Sequence, residues 1–139
     1  MPDAVPPRNP TMNIAASALR AQQSRMRIIA ENIANAQSTA LVAGGEPYRR
    51  QIPVFQTKAL DGGTGVQLAQ VRPDMGEFRM EHDPSHPAAN AEGYVMRPNV
   101  DSLIEAMDMR EAQRAYEANL NVIETARAMD TRILDLLKR

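Results

Sequence analysis

The sequence predicts a mainly α fold with a small β-rich insertion. Three observations carry that expectation. Two long segments, one towards each end, repeat apolar residues at heptad spacing. Between them glycine and proline interrupt every stretch, leaving only short β-like runs. Large apolar side chains are scarce: the aromatic residues are Tyr48, Phe55, Phe78, Tyr94 and Tyr116, with no Trp, and much of the 43% hydrophobic content is alanine. A chain of 139 residues is long enough for one domain. Alanine buries little surface, so any single core is thin.

Four prolines in the first ten residues make 1–12 a flexible Pro-rich lead-in. From Asn13 the pattern turns helical. Ala15, Leu19, Gln22, Met26, Ile29, Ile33 and Ala36 step 4-3-4-3-4-3, with Thr11 or Asn13 as N-cap, which predicts a helix over about 13–36. The middle, 41–97, forms a small β-rich domain from the runs "YRRQIPVFQT", "GVQLAQV", "GEFRME" and "GYVMR". Pro53 demotes the first to an edge or bulged strand. After "RPNVDS" a second helix runs without Gly or Pro, capped by Asn99, Asp101 or Ser102; Ser102 and Glu105 have capping-box spacing. Its stripe is Met109, Ala112, Tyr116, Asn119, Ile123, Ala126, Asp130, Ile133 and Leu137. The ends, 13–40 and 98–139, thus make one discontinuous helical unit, its N- and C-terminal helices pairing as a coiled coil. The middle has too few large apolar residues to cover a helix that long, so its cover comes from the first helix or from other chains.

Several function classes lose support. A formal charge of −1 with mixed signs argues against nucleic acid as a partner. The absence of cysteine removes disulfides and thiolate chemistry. No run reaches the ~18 apolar residues of a membrane span, and "MPDAVPPRNP" lacks the features of a cleavable secretory signal. His82, Asp83 and His86 are the one cluster resembling metal ligands, but Pro84 and Pro87 break the spacing, so a surface turn is the better reading and no metal or other cofactor is expected. "DGGTG", 61–65, lacks the context of a phosphate loop and reads as a hairpin tip. Arg49 and Arg50 beside Tyr48 read as a solvated strand edge or a salt bridge between subunits rather than an anion or base site. No catalytic arrangement and no small-molecule substrate site can be built.

Beyond periodicity, Ser17, Leu19, Arg25, Ile29 and the "NIAN" of Asn32, Ile33 and Asn35 resemble the N-terminal signature of the bacterial flagellar rod, hook and hook-associated axial proteins. Downstream, "GGEPYRR" with Pro47, Tyr48, Arg49 and Arg50 is similar to rod proteins of that family. So are "DPSHPAANAEGYVMRPNV", with Gly93, Tyr94, Pro98 and Asn99, and "DMREAQRAYEANLNVIETARAM". The resemblance implies a non-enzymatic structural subunit of the proximal rod, whose paired terminal helices line a tube with the central domain outside. It implies polymerisation with other rod proteins and with copies of itself into a torque-transmitting drive shaft for motility, next to the membrane-embedded base. It also implies type III export without signal cleavage and a periplasmic location. The Pro-rich lead-in and His82 depart from the family pattern without touching the signature.

Asn32 and Asn35 are poor helix formers inside a helical stripe. One reading is local: Asn35 caps the helix before Gln37. The other assigns Asn32 and Asn35, and Asn119 on the second helix, to setting register between packed subunits, because an interfacial amide is left unsatisfied if chains slip. Both termini are expected to fold on contact with partners. A competing function is a soluble helical adaptor or export-chaperone-like module that presents the β-rich middle.

Overall fold

The computed structural model describes residues 9–138. Two helices and two hairpins follow in the order α1 (Pro10–Ala34), β1 (Gln51–Leu60), β2 (Gly63–Pro73), β3 (Arg79–His82), β4 (Tyr94–Arg97), α2 (Ser102–Leu137). A mainly helical chain with a small β insertion is therefore correct. α1 starts earlier than the periodicity suggested. Asn9 is the N-cap, its side chain accepting from the Thr11 N–H, and Pro10 opens the first turn. Proline suits that position because its missing N–H would be unpaired there anyway. Residues 10–12 are thus helix rather than lead-in; 1–8 lie outside the described residues.

α2 is capped by Asp101, which accepts from Leu103 N and Ile104 N. The capping box expected of Ser102 and Glu105 does not form, because the Glu105 carboxylate turns inward to Arg50. At ~1.5 Å per residue the 36 residues of α2 span about 54 Å.

α1 and α2 pack antiparallel. Asn9 Nδ2 donates to Asp130 at 3.1 Å and Arg25 meets Glu111 at 3.4 Å, so positions rising along α1 pair with positions falling along α2. Among the described residues, six of the ten buried hydrophobic side chains are alanine, and Ile28, Ile29, Val95 and Val100 are the larger ones. The core is as thin as composition implied.

β1 and β2 form an antiparallel hairpin with a register shift between Val54 and Phe55, next to Pro53. Asp61 and Gly62 close it, so "DGGTG" is a hairpin tip, with Gly62 at φ +83°. The hairpin lies along α1. A Cβ on Gly65 would sit 2.5 Å from Ser17 Oγ, so only glycine permits this approach. β3 and β4 form a second, separate hairpin.

α1 therefore has two working faces. Pro10, Ser17, Ala21, Ile28 and Asn32 turn to the hairpin and the chain leading into it; Ala15, Leu19, Gln22, Met26 and Ile29 lie about 130° around the helix at ~100° per residue. No described helix is long and apolar enough to cross a membrane.

Candidate functional site

The densest set of specific contacts lies where the end of α1, the approach to β1, the loop after β2 and the first turns of α2 meet. Asn32 is 1% exposed. Its Oδ1 accepts from Tyr48 Oη at 2.7 Å and from Gln51 N at 2.8 Å, while Nδ2 donates to Gln51 O at 2.9 Å. Three of the amide's four hydrogen-bonding capacities are thus used within the chain. Within the chain, Asn32 sets the register of α1 against β1. Asn35 follows the local reading. It is the C-cap, its Nδ2 donating to Glu31 O at 2.8 Å. Asn119 likewise donates to Ala115 O on its own helix.

One turn away, Arg50 faces three acids. Its Nε pairs with the buried Glu105 carboxylate, and its terminal nitrogens lie 3.7 Å from both Asp74 and Asp108. Glu105 Oε2 has no hydrogen-bond partner among the described residues. Burial works against the Arg50 charge, but the hydrogen bond and charge of Glu105, then Asp74 and Asp108, outweigh it and hold the guanidinium pKa above its ordinary value. Tyr48 is pushed up from the ordinary phenol value, first by burial and then by Glu31 and Glu105.

Asn99 ties in the third strand of chain, accepting from Arg50 N at 2.8 Å and donating to Asp74 O at 3.0 Å. Arg49 donates to the Asp74 and Gly76 carbonyls and stacks 4.1 Å over the Phe78 ring. Both arginines are therefore engaged inside the chain. The buried Pro47 and Pro98 flank the junction, and the Pro98 carbonyl accepts from Arg79 Nε.

Ser17 supplies a second anchor. Its hydroxyl donates to Ile14 O and accepts from Val66 N, fastening β2 to α1. At the second hairpin, Gly93 O accepts from Asp83 N, and Tyr94 packs edge-on against His82 with centroids 4.9 Å apart. His86 Nδ1 accepts from Ala88 N, so the two histidines are engaged separately. Along α2, Met109, Tyr116, Asn119 and Ile123 are half-buried, whereas Ile133 and Leu137 are exposed. On α1, Ile29 is buried, Leu19 and Arg25 are half-buried, and Ile33 is exposed.

Sequence reasoning missed Glu105, Asp74 and Asp108 as partners of Arg50, because they lie 24 to 58 positions away and carry no local signal. It also missed the second face of α1. A signal existed there: Ser17, Ala21, Ile28 and Asn32 recur at helical spacing, hidden because all but Ile28 are small or polar.

This arrangement is a set of internal clasps. The model for flagella basal body rod proteins matches residues 12–40, and that for the C-terminal part of flagellar basal body rod FlgEFG proteins matches 91–136. Both helices and the approach to α2 therefore carry the sequence pattern of flagellar basal-body rod proteins. The chain is 46% identical to the flagellar basal-body rod protein FlgC of Agrobacterium fabrum, over 95% of this chain and 96% of that protein. It is 36% identical to FlgC of Bacillus subtilis, over 92% and 97%, and 40% identical to FlgC of Salmonella typhimurium, over 89% and 93%. The chain belongs to the FlgC family of flagellar basal-body rod proteins, which is a structural family and not one of enzymes.

Proposed function

We propose that this chain works in the proximal part of the rod, with α1 and α2 paired as a coiled coil along the axis and the hairpins outside. It is a structural rod subunit of the flagellum, and its place is the basal body. It assembles with other axial proteins. Copies of the same chain and the membrane-embedded base are its further neighbours in this proposal, and the finished shaft transmits torque. Export by the type III apparatus and a periplasmic position complete the proposal. So does the division into axial segments 13–40 and 98–139 and a central domain, 41–97.

The observation that carries this reading is the far end of α2. α1 begins opposite Asp130, and beyond that point Ile133, Leu134, Leu136 and Leu137 are all exposed. A row of aliphatic side chains without cover among the described residues is the surface that a polymerising subunit offers its neighbours.

The test is mass spectrometry of hook–basal bodies purified from the source bacterium after stringent washing. Retention in fixed ratio to other rod proteins is the expected result. Absence, with a stable soluble dimer in its place, would transfer the function to the adaptor class.

A further inference from the structure

Between α1 and the β1–β2 hairpin lies a cleft of about 180 Å³, away from the Asn32 and Arg50 junction. Arg20 and Ser24 of α1 line one side, and Lys58 and Gln67 of the hairpin line the other. Arg20 and Lys58 form no ion pair among the described residues, and no carboxylate lines the cleft. Arg25, Arg27, Arg49, Arg50 and Arg97 each meet an acid within the chain, whereas Arg20, like Arg72 and Arg110, meets none among the described residues. The Ser24 hydroxyl makes no hydrogen bond among the described residues either, whereas Ser17, at the floor, is already committed to Val66.

Resting on the rod-subunit reading, we propose that this cleft is a notch that receives a carboxylate side chain from a neighbouring protein subunit. Two cations from different elements, a free hydroxyl and an amide converge on a space that suits one small anionic group. It falls below the ~300 Å³ at which pockets for drug-sized ligands begin, which excludes a nucleotide-sized guest. Leu60, Val66 and Leu68 supply apolar wall. That wall suits the methylenes of a Glu or Asp side chain better than a bare inorganic ion. The notch also lies on the hairpin side of α1, opposite the face towards α2, so a carboxylate seated in it belongs to a neighbour beside the subunit. It would hold the hairpin to that neighbour while the helices pack along the axis.

The experiment places a photo-activated benzoylphenylalanine at Gln67 of the full chain, in cells, and analyses washed hook–basal bodies. The expected result is a crosslink to a neighbouring subunit within three residues of an Asp or Glu. The double variant Arg20→Gln, Lys58→Gln should lower its yield about tenfold, and the exchange Arg20→Lys, Lys58→Arg should retain it. Should the glutamine pair lose helical signal, Ser24→Asp serves instead: it fills the notch from within and should lower the yield by a similar factor. Crosslinks confined to acid-free peptides, or a yield within twofold of the parent in both variants, would overturn the proposal. So would the absence of any crosslink while the purified chain binds inorganic phosphate. Retention of the parent chain in the washed basal bodies reports separately on the rod reading.

Discussion

Replacing Asn32 by alanine isolates the junction that the fold depends on most. The substitution removes the amide that holds Tyr48 Oη, Gln51 N and Gln51 O at 2.7, 2.8 and 2.9 Å. Tyr48 is half-buried and recovers water, so its loss is about 1 kcal/mol. The two Gln51 backbone groups lose their partner at a half-buried position, about 1–2 kcal/mol each, and the vacated volume adds to this. The total is about 3–5 kcal/mol. A domain of this size has ~5–15 kcal/mol in all. With an m-value of ~1–3 kcal/mol/M in urea, the midpoint should fall by about 2 M. The assay is urea unfolding of the purified chain followed by far-UV circular dichroism, run beside Tyr48→Phe and the double variant. Asn32 and Tyr48 should couple by about 1 kcal/mol in that cycle. A midpoint for Asn32→Ala within about 0.3 M of the parent, or strict additivity, would refute the view that this amide sets the register of α1 against β1.

Glu105→Gln should cost about 2 kcal/mol by the same assay, because a buried carboxylate paired with Arg50 is replaced while Asp74 and Asp108 keep part of the guanidinium's cover. Gly65→Ala drives a Cβ onto Ser17 Oγ and the Leu60 side chain, and should cost about 1–3 kcal/mol while weakening amide-exchange protection at Val66, whose N–H Ser17 holds. Tyr48 should ionise above the ordinary phenol value of ~10 in a spectrophotometric titration. The unfolded chain then releases its proton first, so this contribution is present below pH ~10 and is lost as pH rises through the folded value. Ile133→Ser with Leu137→Ser should leave the unfolding midpoint of the isolated chain within about 0.3 M of the parent, since both side chains are exposed, yet reduce incorporation into basal bodies several-fold.

The helices and the β insertion were legible because their signals are local. Heptad spacing marks α2 from Met109 to Leu137, and the breakers around 61–65 place the hairpin tip. The start of α1 was misplaced because Pro10 was read with its proline neighbours as a breaker, when a proline following Asn9 is also a first-turn residue. The site was less legible. Asn32 attracted notice as an oddity in a helix, but what it binds is 16 and 19 positions away, in the loop before β1 and at the first residue of that strand. Glu105 was misread for a related reason: its spacing from Ser102 fits a local motif, and no sequence pattern announces an arginine 55 positions upstream.

The division of labour between the two kinds of contact follows from what a rod subunit must do. Directional, polar interactions are spent inside the chain, at Asn32, Arg50, Asn99 and Ser17, where their geometry is fixed and slippage leaves groups unpaired. Apolar, adaptable side chains are left outside: Met75, Met80, Met107 and Met129 are exposed, together with the aliphatic end of α2. Thioethers and leucines accept many packing partners, which suits a subunit that assembles with other axial proteins. A thin alanine core lets α1 and α2 approach closely but supplies little specificity, so the polar clasps must orient the hairpins on the helices. Variants at the clasps should therefore change the stability of the isolated chain in proportion to their loss of assembly. Variants of the exposed methionines should change assembly alone, and that separation is measurable by running unfolding and basal-body incorporation on the same set.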